Sequence, residues 1–378
     1  MFDEDHDLFR EAVRAFVENE LVPNDPAWEA NGIVDRDIFN RAGALGFLGI
    51  DAPEALGGGG VRDFRFQAIL DEELLYANLA GTGLGLSLHN DVCFPYFLEL
   101  GSDEQQARWI PGMCRGDLVA AIAMTEPGTG SDLASMRTAA VRDGDDFVIN
   151  GAKTFISNGF VADLVIVACK TDPTQRHTGM SLIVVESDRP GFRRGRNLEK
   201  IGLHAQDTAE LFFDDVRVPA ANLLGDEGAG FRGLVQLLPR ERLSLAISGL
   251  ASAVGTFERT LEYVKDRHAF GQPIGAFQNT RFRMAEMKTE LDIAQVFVDQ
   301  QVLAYNDATL TAEDAAEAKW WVTELQGRVV DTCLQLHGGY GYMEEYPIAK
   351  TWRDARIQRI YGGTTEIMKE IIGRGLGL

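Results

Sequence analysis

"LVAAIAMTEPGTGSD", residues 118–132, is where the chain changes its period. Before it, apolar residues recur at helical spacing. Phe9, Val13, Phe16, Val17 and Leu21 form one pattern, which Pro23 ends; Ile38, Phe39, Ala42 and Leu45 form a second, which Asp35 can cap. "FQAILDEELLYANLA" (66–80) gives another helix after the flexible "GGGG" at 57–60. From residue 118 the runs become short and β-rich: "LVAAIAM", "RTAAVRDGDDFVING", "KTFIS", "LVIVACK", "MSLIVVES" and "AELFFDDVRV". Gly, Asp and Asn turns separate them, and no helix lies between them to build a βαβ unit. After "NLLGDEGAGF" (222–231) helical spacing returns over roughly 239–267, 275–306, 312–337, 346–361 and 364–374. Long helices with short connections predict an up-and-down bundle. The expected fold is therefore multi-domain α+β: an N-terminal α-helical domain (1–117), a middle antiparallel β domain (118–223) and a C-terminal four-helix bundle (224–378). No internal repeat is present.

Composition narrows the function classes. The chain has 378 residues, 45% hydrophobic and 25% charged, long enough for two or three cores. A formal charge of −21 argues against a nucleic-acid backbone or an anionic membrane as partner. The acidic start "MFDEDHDLFREAV" lacks the regions of a secretory signal, and no apolar run reaches the ~18 residues that span a bilayer. A cytoplasmic protein without membrane insertion is the expectation. Cys93, Cys114, Cys169 and Cys333 are scattered with no CxxC pair, and the six histidines show no HxxxH or HExxH spacing. No metal site is expected.

Two glycine-rich stretches carry no nucleotide-binding signal. "GTGLGLSLHN" (81–90) and "GGYGYM" (338–343) both lack the strand before and helix after that a dinucleotide loop needs. "AMTEPGTGSD" (123–132) differs, because it leaves an apolar strand and packs hydroxyls, glycines and a proline into one loop. Such a loop presents N–H and O–H donors to an electron-rich ligand. A plain polar hairpin turn explains it equally well in isolation. In "INGAKTFISNG" (149–159), Phe155 suits stacking on a planar ring, and Ser157 offers a hydroxyl on the same strand face. In "RHAFGQPIGAFQ" (267–278), Arg267 suits a diphosphate and Phe270 an apolar contact. On its own that segment reads as a helix connection with a solvated arginine.

Taken in order, "TEPGTGSD", "NGAKTFISNG", "RHAFGQPIGAFQ", "QLHGGYGYMEEYPIAKTWRDAR" and "IYGGTTEIM" resemble the acyl-CoA dehydrogenase family over essentially the whole chain. The resemblance implies FAD as cofactor, a fatty acyl-CoA as substrate and an electron-transfer flavoprotein as electron acceptor. It also implies a homotetramer. By position it places Met124, Thr125, Gly130 and Ser131 around the isoalloxazine and thioester, and Phe155 and Ser157 beside the flavin ring. Arg267, Phe270, Gln278, Gln335 and Gly339 match positions that hold the diphosphate and adenosine half of a neighbouring subunit's FAD. Thr364 and Glu366 match further FAD contacts. Arg242, Tyr361 and Gly362, together with Ser131, match positions beside the acyl-CoA.

One departure decides the chemistry. Most members carry the catalytic glutamate in the pattern I-Y-E-G-T, and this chain reads "IYGGT" with Gly362 in that place. Long-chain and isovaleryl-type members instead place the glutamate much earlier, on a bundle helix. "LPRERLSLA" (238–246) resembles that segment, with Glu241 at the relevant position. Locally, Pro239 suits the first turn of a helix, which would make Glu241 a third-position acid favoured by the helix dipole. Leu238, Leu245 and Ser248 share its helical face, which would let the carboxylate point inward; local sequence favours the capping role, and the resemblance together with Gly362 reverses that. The resemblance implies dehydrogenation of a medium to long acyl-CoA to the trans-2-enoyl-CoA. The alternatives are an isovaleryl-type enzyme or a non-catalytic FAD/acyl-CoA-binding subunit.

Overall fold

A computed structural model of the chain describes residues 1–378. Helices α1 (Glu4–Phe16), α2 (Asp25–Asn31), α3 (Asp37–Ala44), α4 (Phe64–Tyr76), α5 (Ala80–Ser87), α6 (Phe94–Leu100) and α7 (Asp103–Cys114) build the first unit. Two π-helical stretches, Val17–Leu21 and Leu88–Cys93, continue α1 and α5. Helix α4 is buried along most of its length because α1 covers one side and the bundle the other. Its Glu72 and Glu73 are therefore paired, with Arg10 at 2.6 Å and Arg14 at 2.8 Å. Asp63 caps it by accepting from the Arg65 N–H.

The second unit is an eight-stranded sheet with the path β6-β7-β3-β2-β4-β5-β8. Its strands are β1 (Ala120–Ala123), β2 (Ala139–Asp143), β3 (Asp146–Ser157), β4 (Leu164–Lys170), β5 (Met180–Glu186), β6 (Phe192–Asn197), β7 (Thr208–Pro219) and β8 (Leu223–Leu224). Pairing is mainly antiparallel, but β1 lies parallel to β4 from Ala120↔Leu164 to Ala123↔Val167. The chain reaches that parallel neighbour through β2 and β3 rather than a crossover helix, so no helical pattern announces it. Strand β4 is buried on both faces. Ile166 packs with Phe97 and Trp109 on one side, and Val165 and Val167 pack with Phe147 and Ile183 on the other. That explains its unbroken apolar sequence.

The third unit comprises α8 (Gly230–Asp266), α9 (Gln278–Asn306), α10 (Ala312–His337), α11 (Pro347–Ala355) and α12 (Thr365–Gly375). A short hairpin, β9 (His268–Ala269) with β10 (Gln272–Pro273), joins α8 to α9. Leu243, Ile247 and Leu250 of α8 meet Leu291 of α9 and Val322 of α10 in one core, and Phe64 and Ala68 of α4 join the same core. Helix α8 does not start at Pro239 as local sequence suggests; it runs 37 residues with the proline inside. Pro239 removes one ladder N–H, yet the helix persists because Leu234, Leu237 and Leu243 on either side are buried. Glu241 is consequently a mid-helix residue, and the capping explanation for it falls away. No helix is long and apolar enough to cross a membrane. The four cysteines are unpaired and buried.

Candidate active site

A cavity of about 880 Å³ opens where the three units meet, within the range of small-molecule sites. One wall is the loop after β1. Glu126 and Thr129 exchange backbone hydrogen bonds of 2.9 and 3.0 Å across its tight turn. Behind the turn, the Glu126 carboxylate accepts from the Arg137 N–H at 2.7 Å and the Thr138 N–H at 2.9 Å. Lys153, 1% exposed, donates to Glu126 at 2.9 Å and to the Met124 carbonyl at 3.0 Å. Burial alone would raise the Glu126 pKa; Lys153 and the two amide donors hold it below the usual carboxylate range. This buried ion pair fixes the loop from behind, leaving Met124, Thr125, Gly130 and Ser131 facing the cavity.

The end of β3 forms the second wall. The pairing with β7 slips between Lys153 and Ile156, and Phe155 takes a left-handed φ of +61°. The bulge breaks strict alternation and turns the Phe155 ring outward, 68% exposed, onto the cavity beside Ser157. A bulky residue in this conformation is strained, a feature that clusters at functional sites. Thr154 ties the two walls together by donating its N–H to the Thr125 carbonyl at 3.0 Å.

Helix α8 supplies the acid. Glu241 lines the cavity, is 6% exposed, and accepts a hydrogen bond from the Tyr96 hydroxyl at 2.9 Å. Burial pushes its pKa up to about 7, against the opposing pull of that hydrogen bond and of the Arg242 charge. The two flanking arginines diverge. Arg240 turns to Asp51 at 2.5 Å and sits over the rings of Phe64 and Tyr305, so it joins the units together. Arg242 lines the cavity, and its Nε lies 3.5 Å from the Gly362 carbonyl.

The last wall is the Tyr361–Thr364 loop between the 3-10 turn Arg356–Arg359 and α12. Gly362 and Gly363 have φ of +63° and +98°. A Cβ at 362 would lie 2.3 Å from Leu245 Cδ1, so the end of that leucine would have to move, and the left-handed conformation itself favours glycine. Fully buried Lys319 donates to the Gly363 carbonyl at 2.6 Å. Burial, with Arg242 nearby, lowers the Lys319 pKa to about 8. Thr364 caps α12 by accepting from the Ile367 N–H.

Three family models cover the chain in order. They describe the N-terminal domain (residues 3–117), middle domain (121–216) and C-terminal domain (228–377) of acyl-CoA dehydrogenase. The chain belongs to the acyl-CoA dehydrogenase family. It is 48% identical to the mitochondrial long-chain specific acyl-CoA dehydrogenase of Sus scrofa, over 99% of this chain and 87% of that protein. The crystal structure of an acyl-CoA dehydrogenase from Geobacillus kaustophilus is 48% identical and superposes with a TM-score of 0.97, covering 100% of this chain and 99% of that one. A glutaryl-CoA dehydrogenase from Mycobacterium smegmatis in complex with FADH2 is 28% identical with a TM-score of 0.92, covering 99% and 95%.

Acyl-CoA dehydrogenases are flavin-dependent oxidoreductases that use FAD. The cavity fits such a group: a strained, exposed aromatic ring, a neighbouring hydroxyl and an open polar loop converge on one space. Of the residues singled out by sequence, Met124, Thr125, Gly130, Ser131, Phe155, Ser157, Glu241, Arg242, Tyr361, Gly362 and Thr364 all line it. Arg267, Gln335 and Gly339 do not. They line a separate, outward cleft of about 530 Å³, where Arg267 stacks over the Tyr340 ring. Phe270 is 95% exposed beyond it, and Gln278 and Glu366 are also exposed, lining neither space. Sequence reading missed Tyr96, Glu126, Lys153 and Lys319. Lys153 sits inside a motif already singled out, but its partner lies across the sheet. Nothing local marks Tyr96 or Lys319.

Proposed function

We propose that this acyl-CoA dehydrogenase oxidises medium to long acyl-CoA thioesters at Cα–Cβ, with Glu241 as the base that removes the Cα proton. The observation that carries the reading is a single one. A buried carboxyl stands in the cavity facing a loop whose usual glutamate position is a glycine in the left-handed conformation. At a pKa of about 7, Glu241 is matched to proton abstraction near neutral pH. Tyr96 holds one carboxylate oxygen and so orients the other. Phe155 and Ser157 would hold the ring of FAD, which when bound would supply the acceptor for the hydride that leaves Cβ.

The remaining residues bind and orient. The Gly362 N–H survives the loss of a side chain and serves as a donor to the thioester oxygen, where negative charge develops. Arg242 and Lys319 hold the carbonyls of that loop, which fixes the direction of its N–H groups. Arg242, Tyr361 and Ser131 lie beside the acyl-CoA. Leu75, Leu84, Leu88, Val92 and Leu238 give the cavity an apolar depth that suits a long acyl chain. The similarity to a long-chain specific relative supports the same choice.

The outward set supports a homotetramer. Arg267, Phe270, Gln278, Gln335 and Gly339 are far too open to hold a ligand alone, and a neighbouring subunit's FAD would complete their contacts. Phe282, Ile293 and Val296 leave an exposed apolar face on α9 for such packing. Electrons pass to an electron-transfer flavoprotein, as the family resemblance implies. Two measurements test the reading: flavin reduction by an acyl-CoA panel from C4 to C18, and the same assay on Glu241→Gln. Long straight chains should react fastest. The variant should keep FAD and bind acyl-CoA but lose turnover by roughly 10²–10⁴-fold. A near-normal rate for Glu241→Gln overturns the assignment of the base.

A further inference from the structure

One turn beyond Glu241 on α8, Ser244 lies between two carboxyl groups that the chemistry above does not use. Asp71 of α4 is 0% exposed and Asp91 of the π-helical stretch is 1% exposed. The Ser244 hydroxyl is 2.8 Å from Asp71 Oδ2 and also contacts Asp91 Oδ2. Ser87 contacts Asp71 Oδ1 at 2.5 Å, and Asp91 Oδ1 has no partner. Ser87 and Ser244 both line the cavity.

The hydrogen inventory does not close with two ionised carboxylates. Three oxygen–oxygen contacts need three protons, each serine hydroxyl carries one, and an ionised carboxylate carries none. A proton on one carboxyl supplies the third; without it the single Ser244 hydrogen would be split between two carboxylates. Charge balance points the same way. Arg240 is the cation whose field reaches both acids, and it is already bonded to Asp51, with Tyr305 packed against it. Tyr361 approaches Asp71 from the loop and brings no positive charge. Two buried carboxylates would leave an unmatched negative charge in the interior, which burial penalises heavily. Burial accordingly raises the pKa of both acids.

We propose that Asp71, Ser244 and Asp91 share one carboxylic proton and, through Ser244, position the turn of α8 that presents Glu241 to the substrate. The positioning role rests on Glu241 being the base; the shared proton does not. Three elements, α4, the π-helical stretch and α8, meet at this one hydroxyl, so the site locks the base-bearing helix to the N-terminal unit.

A proton held in the folded protein above the pKa of an unfolded Asp, about 3.9, destabilises the fold as pH rises. The contribution is fully present below that value and is lost progressively on going up. Glu241 has the same sign, so the comparison is made without its carboxyl. The FAD-loaded Glu241→Gln protein is unfolded at pH values from 5 to 9, beside Glu241→Gln/Asp91→Asn. An asparagine donates to Ser244 without needing the shared proton. The first protein should lose stability with pH relative to the second, by about tenfold in the unfolding constant per pH unit. Asp71→Asn in place of Asp91→Asn should flatten the dependence equally. Parallel curves at all pH values overturn the shared proton. For positioning, Ser244→Ala in the otherwise native enzyme should slow flavin reduction roughly 10–100-fold with KM and FAD content unchanged. An unchanged rate overturns the positioning role. A near-normal rate in Glu241→Gln would sink the base and leave the unfolding comparison standing.

Discussion

The two clefts on this chain are built in opposite ways. Around Glu241 almost every polar group is buried and answered within the same chain: Tyr96 to Glu241, Lys153 to Glu126, Lys319 to the Gly363 carbonyl. Around Arg267 the cleft is open: Arg267, Gln335 and Tyr340 are exposed, and Phe270 stands 95% exposed beside them. Burial is what gives the inner region its chemistry, because it moves the Glu241 pKa to about 7 and the Lys319 pKa to about 8. The outer region has charge and apolar surface without enclosure. One chain thus carries an enclosed, internally paired cavity and an open cleft that its own side chains do not close. Changes inside should alter rates at any protein concentration, whereas changes outside should alter retention and assembly together.

The largest effect should come from moving the base. Gly362→Glu introduced into Glu241→Gln should recover little of the lost activity, because its Cβ meets Leu245 Cδ1 at 2.3 Å. Adding Leu245→Ala removes the steric part of that obstacle, leaving only the backbone strain at φ +63°, and should recover at least tenfold, measured as steady-state turnover. No recovery in the triple variant would mean that the loop cannot present a base in this chain. Next in size is the outer cleft. Arg267→Ala should weaken FAD retention roughly 10–100-fold, the scale of one or two charge-assisted hydrogen bonds, and shift the enzyme toward smaller assemblies on light scattering. A variant that loses neither would erase the distinction between the two regions. Tyr96→Phe removes a hydrogen bond that pulls the Glu241 pKa down, so the inflection of the pH–rate profile should move upward by about one unit. A downward shift contradicts the assigned direction. Ser157→Ala should be smallest, changing the flavin spectrum and costing about 0.5–1.5 kcal/mol at the ring. A large fall in melting temperature with an unchanged spectrum would mark it as a structural turn residue.

The same contrast explains what the sequence could and could not convey. Helical and β periods located the three units, because each face that packs must repeat its apolar residues. Loop motifs located the cavity walls, because Pro, Gly and hydroxyl residues mark the turn after β1 directly. Long-range pairing left no such trace. The parallel alignment of β1 with β4, the Tyr96 hydroxyl on Glu241, and the meeting of Asp71 with Asp91 depend on residues far apart in the chain. Pro239 misled in a specific way, since its preference for a helix start was overridden by the buried leucines on both sides of it. That error had supported the ordinary explanation for Glu241, and the continuous helix removes it.

The central claim is that a carboxyl held near neutrality by burial takes the substrate proton. Its most direct test is anaerobic stopped-flow reduction of the enzyme-bound flavin by a long-chain acyl-CoA, followed from pH 5 to 9 in the native enzyme and in Glu241→Gln. Glu241 must be ionised to act, so the native rate should rise with pH through an inflection near 7 and then level off. In Glu241→Gln the rate should be roughly 10²–10⁴-fold lower at the plateau, with that inflection gone. An inflection near 7 that survives in Glu241→Gln, at a rate close to native, would contradict the account.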